Sequence, residues 1–149
     1  MRPIPTPAID LIEAAEGFSA VPYLCPAGWW TIGYGAIWDA SGHRVTSATP
    51  PIDMATARAL LERDTQLSAG AVLRLCSVPL TDGQYGALVD FTFNLGAGRL
   101  QASTLRQKLL RLEYAEIPTE LARWVWGGGR ILPGLVKRRA AEVALWRAP

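Results

Sequence analysis

Apolar residues recur at helical spacing through most of the chain and at strand spacing in one short part of it. Ile9, Ile12 and Ala15 share a face of a helix that Thr6 caps, with Pro7 at its first position and Gly17 as its stop. Glu16 then stands at the very end of that helix. From Cys25 to Thr46 the texture changes, because prolines and glycines surround the aromatic and β-branched run Trp29–Trp38. With Asp39-Ala40-Ser41-Gly42 as a turn and His43–Thr46 returning antiparallel, this predicts a small twisted sheet or hairpin. Beyond Pro50-Pro51, Asp53 caps a long helix carrying Met54, Ala57, Leu60, Leu61, Leu67 and Leu75, weakened at Gly70. Thr81-Asp82-Gly83-Gln84 fits a capping box ahead of Tyr85, Leu88, Val89 and Phe91-Thr92-Phe93, and Gly96 stops that helix. Ser103 or Thr104 opens a further helix with Leu105, Leu109 and Leu112 on one face. Pro118 starts another through Leu121 and Trp124 to the break at Gly127-Gly128-Gly129, and Leu135–Trp146 closes the chain. One helix, a small sheet, then helices alone is an α+β order. It predicts a single domain over residues 1–149, with a sheet lobe at about 17–50 and a helical lobe made of about 51–149 plus the N-terminal helix.

Composition excludes several classes. Half of the 149 residues are apolar, 19% are charged and 6 are Trp, the reverse of a disordered chain. No stretch approaches the roughly 18 apolar residues that cross a bilayer, and the start carries prolines and charges where an export signal has an apolar core. The expectation is therefore no membrane anchor and no secretory signal. Cys25 and Cys76 are too few for a disulfide framework, which points to a reduced, cytosolic place of synthesis. With His43 they form no short ligand pair, so neither a zinc site nor any other metal or cofactor is expected. The net charge of +2 hides a split, since Met1–Gly98 holds 5 basic and 9 acidic residues and Arg99–Pro149 holds 10 and 4. Within the basic part, Lys137-Arg138-Arg139 admits a nucleic-acid-binding reading, against which stands the absence of any DNA-binding motif around it. Pairing of Arg138 or Arg139 with Glu142 is the plainer alternative.

The candidate chemistry lies between Glu16 and Gly35. At a helix end, the partial negative charge of unpaired carbonyls disfavours a second negative charge, so a carboxylic acid there can hold its proton and act as a general acid. Thr31, at the start of an alternating strand, would present a hydroxyl to one face, which Gly33 and Gly35 would leave open to a ligand. An acid, a hydroxyl and the Cys25 thiol beside aromatic walls suit hydrolysis of a polar, ring-shaped substrate. Taken singly, each has a bland counterpart: a solvated surface glutamate, a small core cysteine, a strand with a bulge.

Glu16-x8-Cys25-x5-Thr31, written out as EGFSAVPYLCPAGWWTIGYG, resembles the catalytic signature of the phage-type lysozymes, family 24 of the glycoside hydrolases. The likeness continues through ALVDFTFNLGAG at Ala87–Gly98, STL at Ser103–Leu105, Trp124 and GLVKRRAAE at Gly134–Glu142. It implies a lysozyme-like α+β fold whose two lobes flank a peptidoglycan-binding cleft, and hydrolysis of the β-1,4 bond from N-acetylmuramic acid to N-acetylglucosamine. By position, Glu16 matches the general acid and Thr31 the hydroxyl that helps hold the attacking water. Cys25 stands where many members have aspartate, leaving it as a water-positioning thiol, a thiolate base or a nucleophile. Ile37, Phe93 and Thr104 match substrate contacts, with core packing or helix capping as their plainer roles. Ala36 departs from a family that often has His there. The resemblance further implies an endolysin that works as a monomer, without nucleic acid or stable membrane insertion. It would wait in the host cytoplasm until a holin opens the membrane and then act on the wall in the periplasm. The charge split adds the expectation that the basic end steers it onto the anionic polymer. A lytic transglycosylase, or a catalytically impaired wall-binding relative, is the nearer alternative. The nucleic-acid-binding helical protein is the remote one.

Overall fold

The computed structural model describes residues 1–149 as seven α-helices and four short strands. Two compact units are present, Ile12–Gln66 and Met1–Leu11 together with Leu67–Pro149.

In the first unit, α1 (Thr6–Glu16) ends at the expected place, and Gly17 follows at φ +74°. The sheet pairs β1 (Ser19–Leu24) with β2 (Trp30–Gly33), antiparallel, with Tyr23 opposite Thr31 and Leu24 opposite Trp30. This differs from the expected hairpin. The strand does not run on to Trp38, because Gly33 and Gly35 take positive φ and the chain folds back, Ile32 and Ala36 exchanging backbone bonds of 2.9 Å. The return segment survives as one bridge, Trp38 opposite Arg44, around a turn in which Asp39 accepts the N–H groups of Ser41 and His43. The sequence predicts no strand at Ser19–Leu24, because Pro22 interrupts it. Gly33 is not open to a ligand: a Cβ there would sit 3.1 Å from that of Ala57. It lets the sheet turn lie close to α2 (Met54–Leu75), which Asp53 caps by accepting the Thr56 N–H at 2.7 Å. Ile32, Ala36, Val45 and Leu60 form the small core of this unit.

The second unit is built around α3 (Asp82–Leu95), buried along most of its length and opened by the capping box of Thr81 and Gln84. Around it lie α4 (Ala97–Ala102), α5 (Thr104–Leu110), α6 (Ile117–Ala122) and α7 (Pro133–Trp146). Ser103 is the N-cap of α5, its Oγ accepting the Arg106 N–H. That helix ends before Leu112, which is exposed at φ +63°. The glycine break is a tight hairpin of β3 (Trp126–Gly127) and β4 (Arg130–Ile131) with Gly128 and Gly129 at positive φ. A six-residue helix such as α4 is too short to show a period, and none was expected there. At Gly83 a Cβ would collide with the Leu145 carbonyl oxygen where α3 meets the end of α7. Gly83→Ala should therefore cost about 1–3 kcal/mol, read as a lower urea midpoint with unchanged slope.

The basic run of α7 is mostly internal. Arg138 is 8% exposed and Arg139 1%, and only Lys137 faces solvent. Arg138 grips Asp90 of α3 with Nε and Nη2, the shortest contact being 2.7 Å. Arg139 donates to Glu142 at 2.6 Å and to Asn94 at 2.8 Å. Neutralising this run would thus disturb the core before it altered any surface field, so a steering patch built on Arg138 and Arg139 is ruled out by their burial.

Candidate active site

The tight loop from Cys25 to Trp29 organises the site. Its backbone closes on itself, the Cys25 N–H donating to the Trp29 carbonyl at 3.0 Å and the Gly28 N–H to the Cys25 carbonyl at 2.8 Å. The Thr31 hydroxyl, buried at the head of β2, donates to the same Trp29 carbonyl at 3.0 Å. One carbonyl therefore ties the backbone of Cys25 and the candidate hydroxyl together.

The half-buried Cys25 sulfur lies within reach of donors. The Trp29 N–H contributes most, ahead of those of Ala27 and Gly28 and the Thr31 hydroxyl. Together they outweigh partial desolvation and hold the thiol below the ordinary 9.0 of cysteine. The single proton of Thr31 has two acceptors, the Trp29 carbonyl and the sulfur, and it can serve one at a time. Ionisation of the thiol favours the second. The rate of Cys25 alkylation should accordingly rise with a midpoint below that of an unstructured cysteine, and Thr31→Val should move the midpoint up; an unchanged profile in that variant would separate the two residues. Cys76 makes an internal control: it is a free, buried thiol in the other unit, pushed up to about 11 by burial despite Arg106.

Glu16, exposed at the end of α1, directs Oε2 toward the sheet turn, 3.9 Å from where a Cβ would stand on Gly35. Gly35, at φ +102°, lies beside the carboxylate, whereas Gly33 fills a packing role. Thr31 sits deeper than a hydroxyl on an open strand face, because β2 is covered by its own unit on that side. Ile37 is half-buried, its carbonyl accepting the Val45 N–H at 3.0 Å. Ala36 is a core residue of this unit. In the other unit, Phe93 is half-buried on α3, and Thr104 is exposed beside a hollow lined by Arg99, Glu120, Arg123, Trp124 and Trp126. Residue-by-residue reading missed the part played by the Trp29 peptide, for which the sequence offers only the tight Pro26-Ala27-Gly28 spacing as a signal.

A glutamate that ends the first helix against a two-stranded antiparallel sheet, in a chain otherwise helical, belongs to the lysozyme-like class of α+β fold. A variant of the P22 lysozyme superposes with a TM-score of 0.90 at 28% identity, covering 99% of this chain and all of the other. The muramidase domain of SpmX from Asticaccaulis excentricus gives 0.82 at 31% identity with complete coverage of both. The endolysin of Acyrthosiphon pisum secondary endosymbiont phage 1 is 35% identical over 142 residues, 93% of each chain. The phage lysozyme family model matches residues 13–142, and the chain belongs to that family. It is a muramidase-type hydrolase of peptidoglycan.

Proposed function

We propose that Glu16 is the general acid of this hydrolase and that Thr31 and Cys25 position and activate the attacking water. The substrate bond is the β-1,4 link from N-acetylmuramic acid to N-acetylglucosamine. Glu16 passes its proton to the glycosidic oxygen as the bond to the anomeric carbon breaks. Water adds to that carbon from the opposite face, its proton taken through Thr31 toward the Cys25 thiolate. A single displacement of this kind inverts the anomeric centre. The observation that carries the reading is the backbone of Trp29, whose N–H lowers the Cys25 thiol and whose carbonyl holds the Thr31 hydroxyl. A lowered thiol ionises more readily, and its thiolate can accept a proton, which partly replaces the carboxylate that many phage lysozymes have at this position. Ile37, Phe93 and Thr104 are proposed glycan contacts, each open to test by alanine substitution.

In the same reading the protein works as a monomeric endolysin. It is released from the host cytoplasm when a holin opens the membrane and reaches the wall from the periplasmic side. Mass spectrometry of muropeptides from purified peptidoglycan tests the reaction. A reducing muramic end supports hydrolysis; a 1,6-anhydro end means a lytic transglycosylase, and no release means a wall-binding relative without activity.

A further inference from the structure

The side chain of Trp29, whose backbone holds Cys25 and Thr31, forms with those of Arg44 and Trp38 a stack that neither the thiol nor the hydroxyl requires. Arg44 Cζ lies 4.6 Å from the Trp29 ring centroid and 5.0 Å from that of Trp38, so the guanidinium bridges the two indoles. The stack is held from below. Trp38 and Arg44 are backbone partners across the Asp39–His43 turn, and Arg63 of α2 donates to the carbonyls of Trp38 and Asp39 at 2.9 and 2.7 Å. A guanidinium that covers an indole fixes the ring's orientation, and here it fixes an indole that remains 54% exposed. The backbone of that same residue holds Cys25 and Thr31.

Exposing a large indole costs free energy unless a ligand covers it, and a rigid, half-exposed aromatic on the residue whose backbone holds the candidate groups is suited to the apolar C–H face of a pyranose. We infer that Trp29 is a stacking platform for an N-acetylhexosamine ring of the glycan strand, with Arg44 and Trp38 as the positioning residues that hold it in place. This rests on the proposed glycan-cleaving role and adds a binding contact to it. The platform ties sugar position to the thiol and hydroxyl through one residue, since the indole and the peptide of Trp29 move together.

The test uses glycan strands stripped of their stem peptides, titrated calorimetrically into the full chain carrying Glu16→Gln. Trp29→Ala in that background should weaken binding about tenfold, the scale of one lost aromatic contact, and Trp29→Phe should recover part of it. In the otherwise unaltered enzyme, Arg44→Ala should raise KM severalfold with kcat little changed, and Arg44→Lys, which keeps a cation, should restore most of the KM. Because every Trp29 variant keeps the peptide, the pH profile of Cys25 alkylation should stay where it is, which separates loss of the platform from collapse of the loop. Unchanged affinity in Trp29→Ala, or an unchanged KM in Arg44→Ala, overturns the platform. The underlying reading fails differently, through wall hydrolysis that persists in Glu16→Gln alone.

Discussion

Glu16→Gln is expected to lower peptidoglycan hydrolysis by roughly 10²–10⁴-fold, the usual contribution of a positioned general acid, while the melting temperature stays within a degree or two. The amide matches the carboxyl in shape but has no proton to give to the leaving oxygen. Glu16 lies exposed at a helix end beside Gly35, so the exchange buries nothing new and opens no cavity. A turbidity assay on purified walls measures the loss, and near-normal clearing would remove Glu16 from the mechanism. Cys25 supplies the companion result. Cys25→Asp should remain active, since it restores a base, and Cys25→Ala should be weakened; full activity in the alanine variant would leave the thiol without a chemical part.

Arg138→Ala should be the most destabilising single change outside the site, at about 3–5 kcal/mol. It strips a fully buried carboxylate, Asp90, of a two-nitrogen grip. For a chain of this size that corresponds to a fall of roughly 6–20 °C in Tm, visible by circular dichroism. The neighbouring Glu142 should behave in the opposite way. Burial, and then the adjacent Asp90, push its carboxyl well above the ordinary 4.5, and its Oε2 has no partner as an acceptor. A protonated Oε2 donating toward Asp90 accounts for both facts, with Oε1 left to accept from Arg139. The folded chain then holds one proton more than the unfolded chain at pH values above about 4.5, so this group's contribution to stability declines as pH rises from there toward the raised folded value. Glu142→Gln should cost little and flatten that slope, whereas a large loss would show that Glu142 is needed as an anion.

The two halves of the Lys137-Arg138-Arg139 question illustrate what a sequence leaves open. Pairing of Arg139 with Glu142 at i+3 was foreseeable from helical spacing, and it is present. The Arg138 partner, Asp90, lies 48 positions away and could be found only once α3 and α7 packed together. The same contrast holds in the sheet. The glycines at 33 and 35 marked a departure from a plain strand, but only the packed unit shows that one meets Ala57 and the other lies beside Glu16.

By itself, the sequence determined what is local: the end of α1 at Glu16, the capping box at Thr81 and the stop at Gly96. These depend on hydrogen bonds and steric limits spanning a few residues, so a short window contains their causes. Tertiary structure alone decided the strand partner of β2, the burial of two arginines, and the stack of Arg44 between Trp29 and Trp38. Each of these joins residues whose separation along the chain carries no periodic signal, and each is selected by which surfaces exclude water together.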